Sequence, residues 1–250
     1  MAQKNKKTKQ NAPQNMPLFY TNPVMLDRQT HAQTGVRPLQ NYDFARHVNA
    51  VPITLIELPL VVSCYPIVFT SGDAAMPVAL LGLHEGKNLF VNEDGTWQEN
   101  CYIPAYIRRY PFIFADQGHD KLTLCVEDAK GILSQTEGER LFSEQGEMTE
   151  FTASVLGFCK SYHAASQDTA SFAAQLQKAD ILIERQATVR IEGRESYQLA
   201  GFRQIDEEKF RKLDPALVAQ WHEKNWLGAL YASLLSMSNW QTLFNLAQSK

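Results

Sequence analysis

VPITLIELPLVVSCYPIVFTSGDAAMPVALLGL, residues 51–83, is the stretch whose texture decides the fold. Short apolar runs alternate with turn formers, which is the pattern of buried strands rather than of a 3.6-residue helical stripe. Val51–Leu55, Leu60–Phe69 and Val78–Leu83 are therefore predicted strands. Thr70–Asp73 is the loop between the last two, with Gly72 free to take a positive φ. The same texture continues C-terminally. Asn88–Val91 reads as a strand, with turns at His84–Lys87 and Asn92–Gly95 on either side. Pro104–Tyr110 predicts a short helix, because proline is tolerated at the first helical position, and Pro111 ends it by disfavouring helical geometry in the residue before it. Phe112–Ala115 and Lys121–Glu127 follow as a hairpin around Asp116–Asp120.

Further along, the period changes. From about residue 147, Phe151, Val155, Leu156, Cys159 and Tyr162 share one helical face, and Asp168-Thr169 reads as the cap of a second helix carrying Phe172 and Leu176. Thr188–Glu192 and Tyr197–Phe202 form a small β insert joined by Gly193–Ser196. Asp206–Glu208 opens a helix with acids at the positive end of its dipole, and Asp214-Pro215 opens another that runs through Trp226 to Leu235. Ser236–Asn239 interrupts it before Trp240–Ala247. On the N-terminal side, residues 16–50 form an irregular lead-in broken by Pro17, Pro23 and Pro38, with one helical turn at Asp43–His47. The expected fold is α+β: a sheet-rich N-terminal half (β lobe about 51–130) packed against a mainly helical C-terminal half (about 147–250), in a single domain over 16–250.

The net charge of −3 conceals two regions. Residues 1–15 carry Lys4, Lys6, Lys7 and Lys9, no acid and almost nothing apolar, and are expected to be a disordered basic tail. Without them, 20 basic and 27 acidic side chains leave a body of −7. That balance argues against a specific nucleic-acid interface, and four lysines alone give only weak, salt-sensitive attraction. Nothing approaches about 18 consecutive apolar residues, so no transmembrane segment is expected. No apolar signal stretch follows the lysines, and the expected address is the cytoplasm. Cys64, Cys101, Cys125 and Cys159 are widely spaced with no CxxC, which fits reduced, mostly buried thiols rather than a zinc site.

Six histidines fall outside HExxH or HxH patterns, and GxSxG, the phosphate-binding P-loop and GxGxxG are absent. No catalytic residue, metal set or cofactor is therefore indicated. The densest chemistry lies in Asn88–Phe114, NLFVNEDGTWQENCYIPAYIRRYPFIF, where Trp97, Tyr102 and Tyr106 accompany Arg108 and Arg109. Guanidinium groups among aromatic rings can grip a carboxylate or phosphate while the rings exclude water. These five residues are the candidate ligand-binding set. The competing explanation is that the aromatics fill a joint between sheet and helices while the arginines pair with Glu57, Glu93 or Asp94. Two adjacent arginines on a short helix also point in different directions.

YPIVF at Tyr65–Phe69, LLGL at Leu80–Leu83, NLFVNEDGTW at Asn88–Trp97 and YIPAYIRRYPF at Tyr102–Phe112 resemble the bacterial SapC family, as do GERLF at Gly138–Phe142 and LGALYASLLSMSNWQTL at Leu227–Leu243. The resemblance covers most of the chain from about residue 17. The family takes its name from a surface-layer (S-layer) protein locus and brings no established catalytic residues with it. The resemblance suits an accessory protein and adds little else about function; the aromatic–arginine cluster together with the missing catalytic signatures leads to the expectation of a soluble accessory or binding protein without catalysis of its own, recognising a peptide, a protein partner or a small anionic ligand near Trp97–Phe112. The alternatives are an enzyme, or an enzyme's partner, acting on a small molecule or peptide, and a surface-layer-associated structural protein.

Overall fold

The structure is a computed structural model that describes residues 16–116, 118, 122–189 and 197–250. The lysine-rich tail, most of the predicted Asp116–Asp120 turn and the Gly193–Ser196 turn lie outside the described residues. The lead-in contributes β1 (Pro23–Met25) and β2 (Gly35–Val36). Next come β3 (Ala50–Pro52), the one-turn helix α1 (Leu58–Val61), β4 (Ile67–Thr70) and β5 (Pro77–Leu80). The short helix α2 (Ala105–Arg108) precedes the hairpin of β6 (Phe112–Asp116) and β7 (Leu122–Glu127) and the two-residue strands β8 (Leu133–Ser134) and β9 (Glu139–Arg140). The second half begins with the 29-residue helix α3 (Glu150–Lys178) and a long hairpin, β10 (Leu182–Val189) and β11 (Tyr197–Ile205). It closes with α4 (Glu207–Arg211), α5 (Pro215–Glu223), α6 (Trp226–Leu235) and α7 (Trp240–Ser249). The fold is α+β, with strands concentrated in the first half and helices in the second.

Among the described residues the strands form three antiparallel sheets, ordered β10-β11-β4-β5-β3, β1-β7-β6 and β8-β2-β9. The lead-in is thus not irregular throughout: β1 pairs with β7 and β2 seats between β8 and β9. The β10–β11 hairpin is longer than the expected insert and completes the N-terminal sheet, Phe202 opposing Thr70 and Arg203 opposing Phe69. Burying Leu199, Phe202 and Ile205 against the main core holds it there. Its hydrophobic period is irregular because the register shifts between Arg185 and Ala187, across from Gly201 at φ +78.

Several other boundaries differ for local reasons. Leu60–Phe69 divides, because Pro59 suits the first turn of α1 and the strand begins only at Ile67. Asn88–Val91 forms no strand beyond a single bridge, Val91 to Trp97; Asn88 instead folds its amide onto Ala45 O and Phe90 N–H. Asp168 and Thr169 cap nothing, since α3 runs through them. The Thr169 hydroxyl donates to Ala165 O one turn back and accepts the Leu55 N–H at 2.7 Å, so it fixes the turn before α1. Asp206 and Asp214 cap α4 and α5 as expected. The helix from Pro215 breaks at Asn225, which is left-handed (φ 58), before α6 starts. The Ser236–Asn239 interruption is a 3₁₀ turn stitched to the sheet side: Ile67 N–H donates to Ser236 Oγ, and Asn239 Nδ2 donates to Val62 O and Tyr65 O.

The main core packs the central sheet against α1, α6 and the C-terminal half of α3, around Tyr65, Phe69, Phe90, Phe172 and Trp221. A second core lies between the β6–β7 hairpin, β2 and the N-terminal half of α3, around Phe112, Val126, Leu141 and Cys159. The α2 region joins the two, Ile107 pointing into the first. Close backbone approach fixes glycine at two positions. A Cβ on Gly82 would lie 1.9 Å from Lys87 O, and one on Gly138 (φ +89) would lie 2.3 Å from Val36 O.

Candidate functional site

The site begins with Glu57, a residue 3% exposed. Thr54 and Glu57 stand at capping-box spacing, and the Thr54 N–H and hydroxyl donate to Glu57 Oε2 at 2.8 and 2.7 Å. Its second oxygen, Oε1, accepts the Ala105 N–H at 2.6 Å and the Tyr102 hydroxyl at 3.1 Å. One buried carboxylate therefore ties the turn before α1 to the first residue of α2. Three and four residues on, that platform presents two arginines, Arg108 and Arg109.

The two guanidinium groups are treated differently. Arg108 is exposed; its Nε donates to Ile103 O at 3.0 Å, its Nη2 donates to the Tyr102 hydroxyl at 2.7 Å, and it lies 5.3 Å from the Tyr102 and Phe158 ring centres. Arg109 stacks on Tyr106 at 3.9 Å and faces Tyr162 at 4.7 Å, with Tyr20 at 5.9 Å. Its Nε is buried without a hydrogen-bond partner, and among the described residues no carboxylate forms an ion pair with it. None of the acids expected to neutralise these arginines, Glu57, Glu93 or Asp94, forms an ion pair with them among the described residues. Glu57 is saturated by Thr54, Tyr102 and Ala105; Asp94 accepts from Thr96; and Arg46 takes the backbone carbonyls of Asn92 and Glu93. Burial pushes the phenols of Tyr20, Tyr106 and Tyr162 up, against the opposing pull of the Arg109 charge, so all three rings are neutral.

Beside these residues opens a cleft of about 480 Å³, bounded by Val36–Leu39 of the lead-in, Arg108–Phe112 and one face of α3. From α3 it receives Phe151, Val155 and Phe158, with Cys159 also lining it. Arg109 also lines a smaller cavity of about 140 Å³, with Phe114, Cys159, Tyr162 and His163. A third, about 150 Å³, holds Glu57, Tyr102 and Arg108 beneath Ile56 and Leu60. Burial pushes the Cys159 thiol up to about 11, so it is protonated at neutral pH. Among the described residues no three His, Cys, Asp or Glu side chains converge as a metal set.

The structure therefore separates the five sequence candidates. Arg108 and Arg109 line the cleft, and Tyr102 and Tyr106 sit beneath their respective guanidinium groups. Trp97 stands apart in the main core, 8% exposed, donating its Nε1–H to the Tyr65 hydroxyl at 2.9 Å. Tyr20, Phe158 and Tyr162 complete the aromatic surround and were not among the candidates. Tyr162 and Val155 lie on the helical stripe read in the sequence, which marked α3 as a packing face without saying that part of it lines a cleft. Tyr20 carries no sequence signal, since only β1 pairing brings the lead-in to this place.

No described helix is long and apolar enough to cross a membrane. No curated protein and no solved structure matches the chain. The SapC family model matches residues 26–243, a span that includes both arginines, α2 and all of α3. On that match, which covers most of its length, the chain belongs to the SapC family.

Proposed function

We propose that this SapC protein is a soluble, cytoplasmic binding protein without catalysis of its own, which recognises an anionic group in the cleft beside Arg109. The anion is carried by a small ligand or displayed by a peptide or protein partner. The observation that carries the reading is the Arg109 guanidinium: stacked between tyrosines, its Nε out of water and without an acceptor, and without a carboxylate partner among the described residues. Leaving a buried donor unmade costs about 1–3 kcal/mol, which an arriving acceptor recovers. Nearly all buried polar groups in folded proteins have a partner, so one that has none calls for an explanation, and an arriving ligand supplies it here. Support against catalysis comes from the nearest nucleophile, the Cys159 thiol, which burial keeps protonated.

Calorimetric titration with acetate, benzoate and phosphate tests the reading. Arg109-dependent binding of at least one anion is expected, lost in Arg109→Ala. Equal binding by a folded Arg109→Ala variant rejects this site. Cell fractionation tests the location, and recovery with the cell envelope rejects it.

A further inference from the structure

The lining of the cleft says more about the ligand than its charge. Val36, Leu39, Phe112, Phe151, Val155 and Phe158 make an apolar wall, and the other two arginines that line it are already engaged. Arg37 pairs with Glu137 at 3.0 Å, and Arg108 is held by Ile103 O and the Tyr102 hydroxyl. Among the described residues, one lining guanidinium, Arg109, is without an ion-pair partner or a hydrogen bond at its Nε, and its planar edge suits a carboxylate. A phosphate dianion would find, among the described residues, one uncommitted cation facing an apolar wall, with Glu139 also in the lining. Resting on the anion-binding reading above, we infer that the ligand is an amphipathic monocarboxylate: one carboxylate on Arg109 and an apolar body along α3. The volume of about 480 Å³ falls in the range of small-molecule sites and exceeds what acetate or formate needs.

The same chemistry comes from two sources, a free carboxylic acid or the C-terminal carboxylate of an apolar peptide. A chain-length series of butanoate, hexanoate, octanoate and decanoate, titrated into the full-length protein, separates charge recognition from apolar recognition. Each methylene buried should tighten binding about 3- to 4-fold, until the cleft is filled. Octanol, which lacks the charge, should bind at least about 10-fold more weakly than octanoate. Arg109→Gln should lose about 10- to 100-fold for every acid that binds. Ser154→Glu, which places a carboxylate on an exposed position lining the cleft, should weaken the series without threatening the fold. An acetylated Leu-Phe dipeptide, with free or amidated C-terminus, then distinguishes the sources. Tighter binding of the free dipeptide than of octanoate assigns the peptide end, and the reverse assigns the free acid; either supports the inference.

A series flat in chain length, with acetate or phosphate binding as well as decanoate through Arg109, overturns the amphipathic ligand and leaves an anion site standing. Absence of binding by every anion, or binding indifferent to Arg109→Gln and Ser154→Glu, overturns both.

Discussion

Replacing Glu57 by alanine should damage this protein more than any single change at the cleft itself. The carboxylate accepts four hydrogen bonds, two of them from the backbone N–H groups of Thr54 and Ala105, and the residue is 3% exposed. Alanine leaves those donors facing a gap continuous with a cavity of about 150 Å³. An unmade buried donor costs about 1–3 kcal/mol; water entering from the cavity serves some of the four, which brings the expected loss to about 3–5 kcal/mol. For a chain of this size that corresponds to a fall in Tm of about 10 °C or more. Glu57→Gln keeps the shape but turns an NH₂ group toward one pair of donors, so about half the loss is expected. Tyr102→Phe, which removes the 3.1 Å bond to Glu57 and the 2.7 Å bond accepted from the exposed Arg108, should cost about 1 kcal/mol, since water replaces the second. The assay is urea denaturation followed by tryptophan fluorescence, since Trp97 reports on the core beside Tyr65. Because Glu57 sets the position of α2, the alanine variant should also bind the carboxylate series more weakly while touching no ligand. A loss below about 1 kcal/mol in Glu57→Ala would refute the claim that this carboxylate holds the platform.

Three further outcomes follow from the same contacts. Thr169→Val keeps the shape of a fully buried residue but strands the Leu55 N–H, and a loss of about 1–3 kcal/mol is expected in the same denaturation assay. Glu127 is fully buried and accepts from the Thr21 and Asn22 N–H groups and the Thr21 hydroxyl, so Glu127→Ala should free the lead-in; limited proteolysis should then cut near residues 19–25 much faster than in the wild type. Burial raises the Cys159 thiol from 9.0 to about 11 and also raises the buried tyrosines. A folded-state pKa above the unfolded one stabilises below the unfolded value and is lost as pH rises through the folded value, so stability should decline from about pH 9 to 11. Denaturation midpoints measured across that range check this, and a flat profile would contradict it.

The comparison of sequence with structure divides along physical lines. Where a signal is local, it was legible: Asp206 and Asp214 cap their helices, Pro104 and Pro111 bracket the single turn of α2, and Ser236–Asn239 interrupts the C-terminal helix. Errors arose where a tertiary contact overrides a local preference. Asp168-Thr169 resembles a cap, yet the Thr169 hydroxyl bonds back within α3 and reaches across to Leu55. The β10–β11 hairpin looked like an insert because its partner strand, β4, lies more than a hundred residues earlier in the chain. The candidate site was half legible. Adjacent arginines among aromatics flagged the segment, but composition could not show that Glu57 turns to Ala105 and Tyr102 rather than to an arginine. Trp97 is a sequence neighbour of the arginines yet belongs to the core. Tyr20 and Tyr162 escaped because their place beside Arg109 depends on how the lead-in and α3 pack.

The central claim is that Arg109 is kept for an external anion rather than for the fold, and Arg109→Met tests it most directly when stability and binding are measured on the same sample. Losing the contacts with Tyr106 and Tyr162 costs about 0.5–2 kcal/mol, and removing the partnerless buried Nε returns about 1–3 kcal/mol. The account predicts a ligand-free stability within about 1 kcal/mol of the wild type together with loss of octanoate binding. A variant destabilised by about 3 kcal/mol or more, binding octanoate as the wild type does, would make Arg109 a structural residue and contradict it.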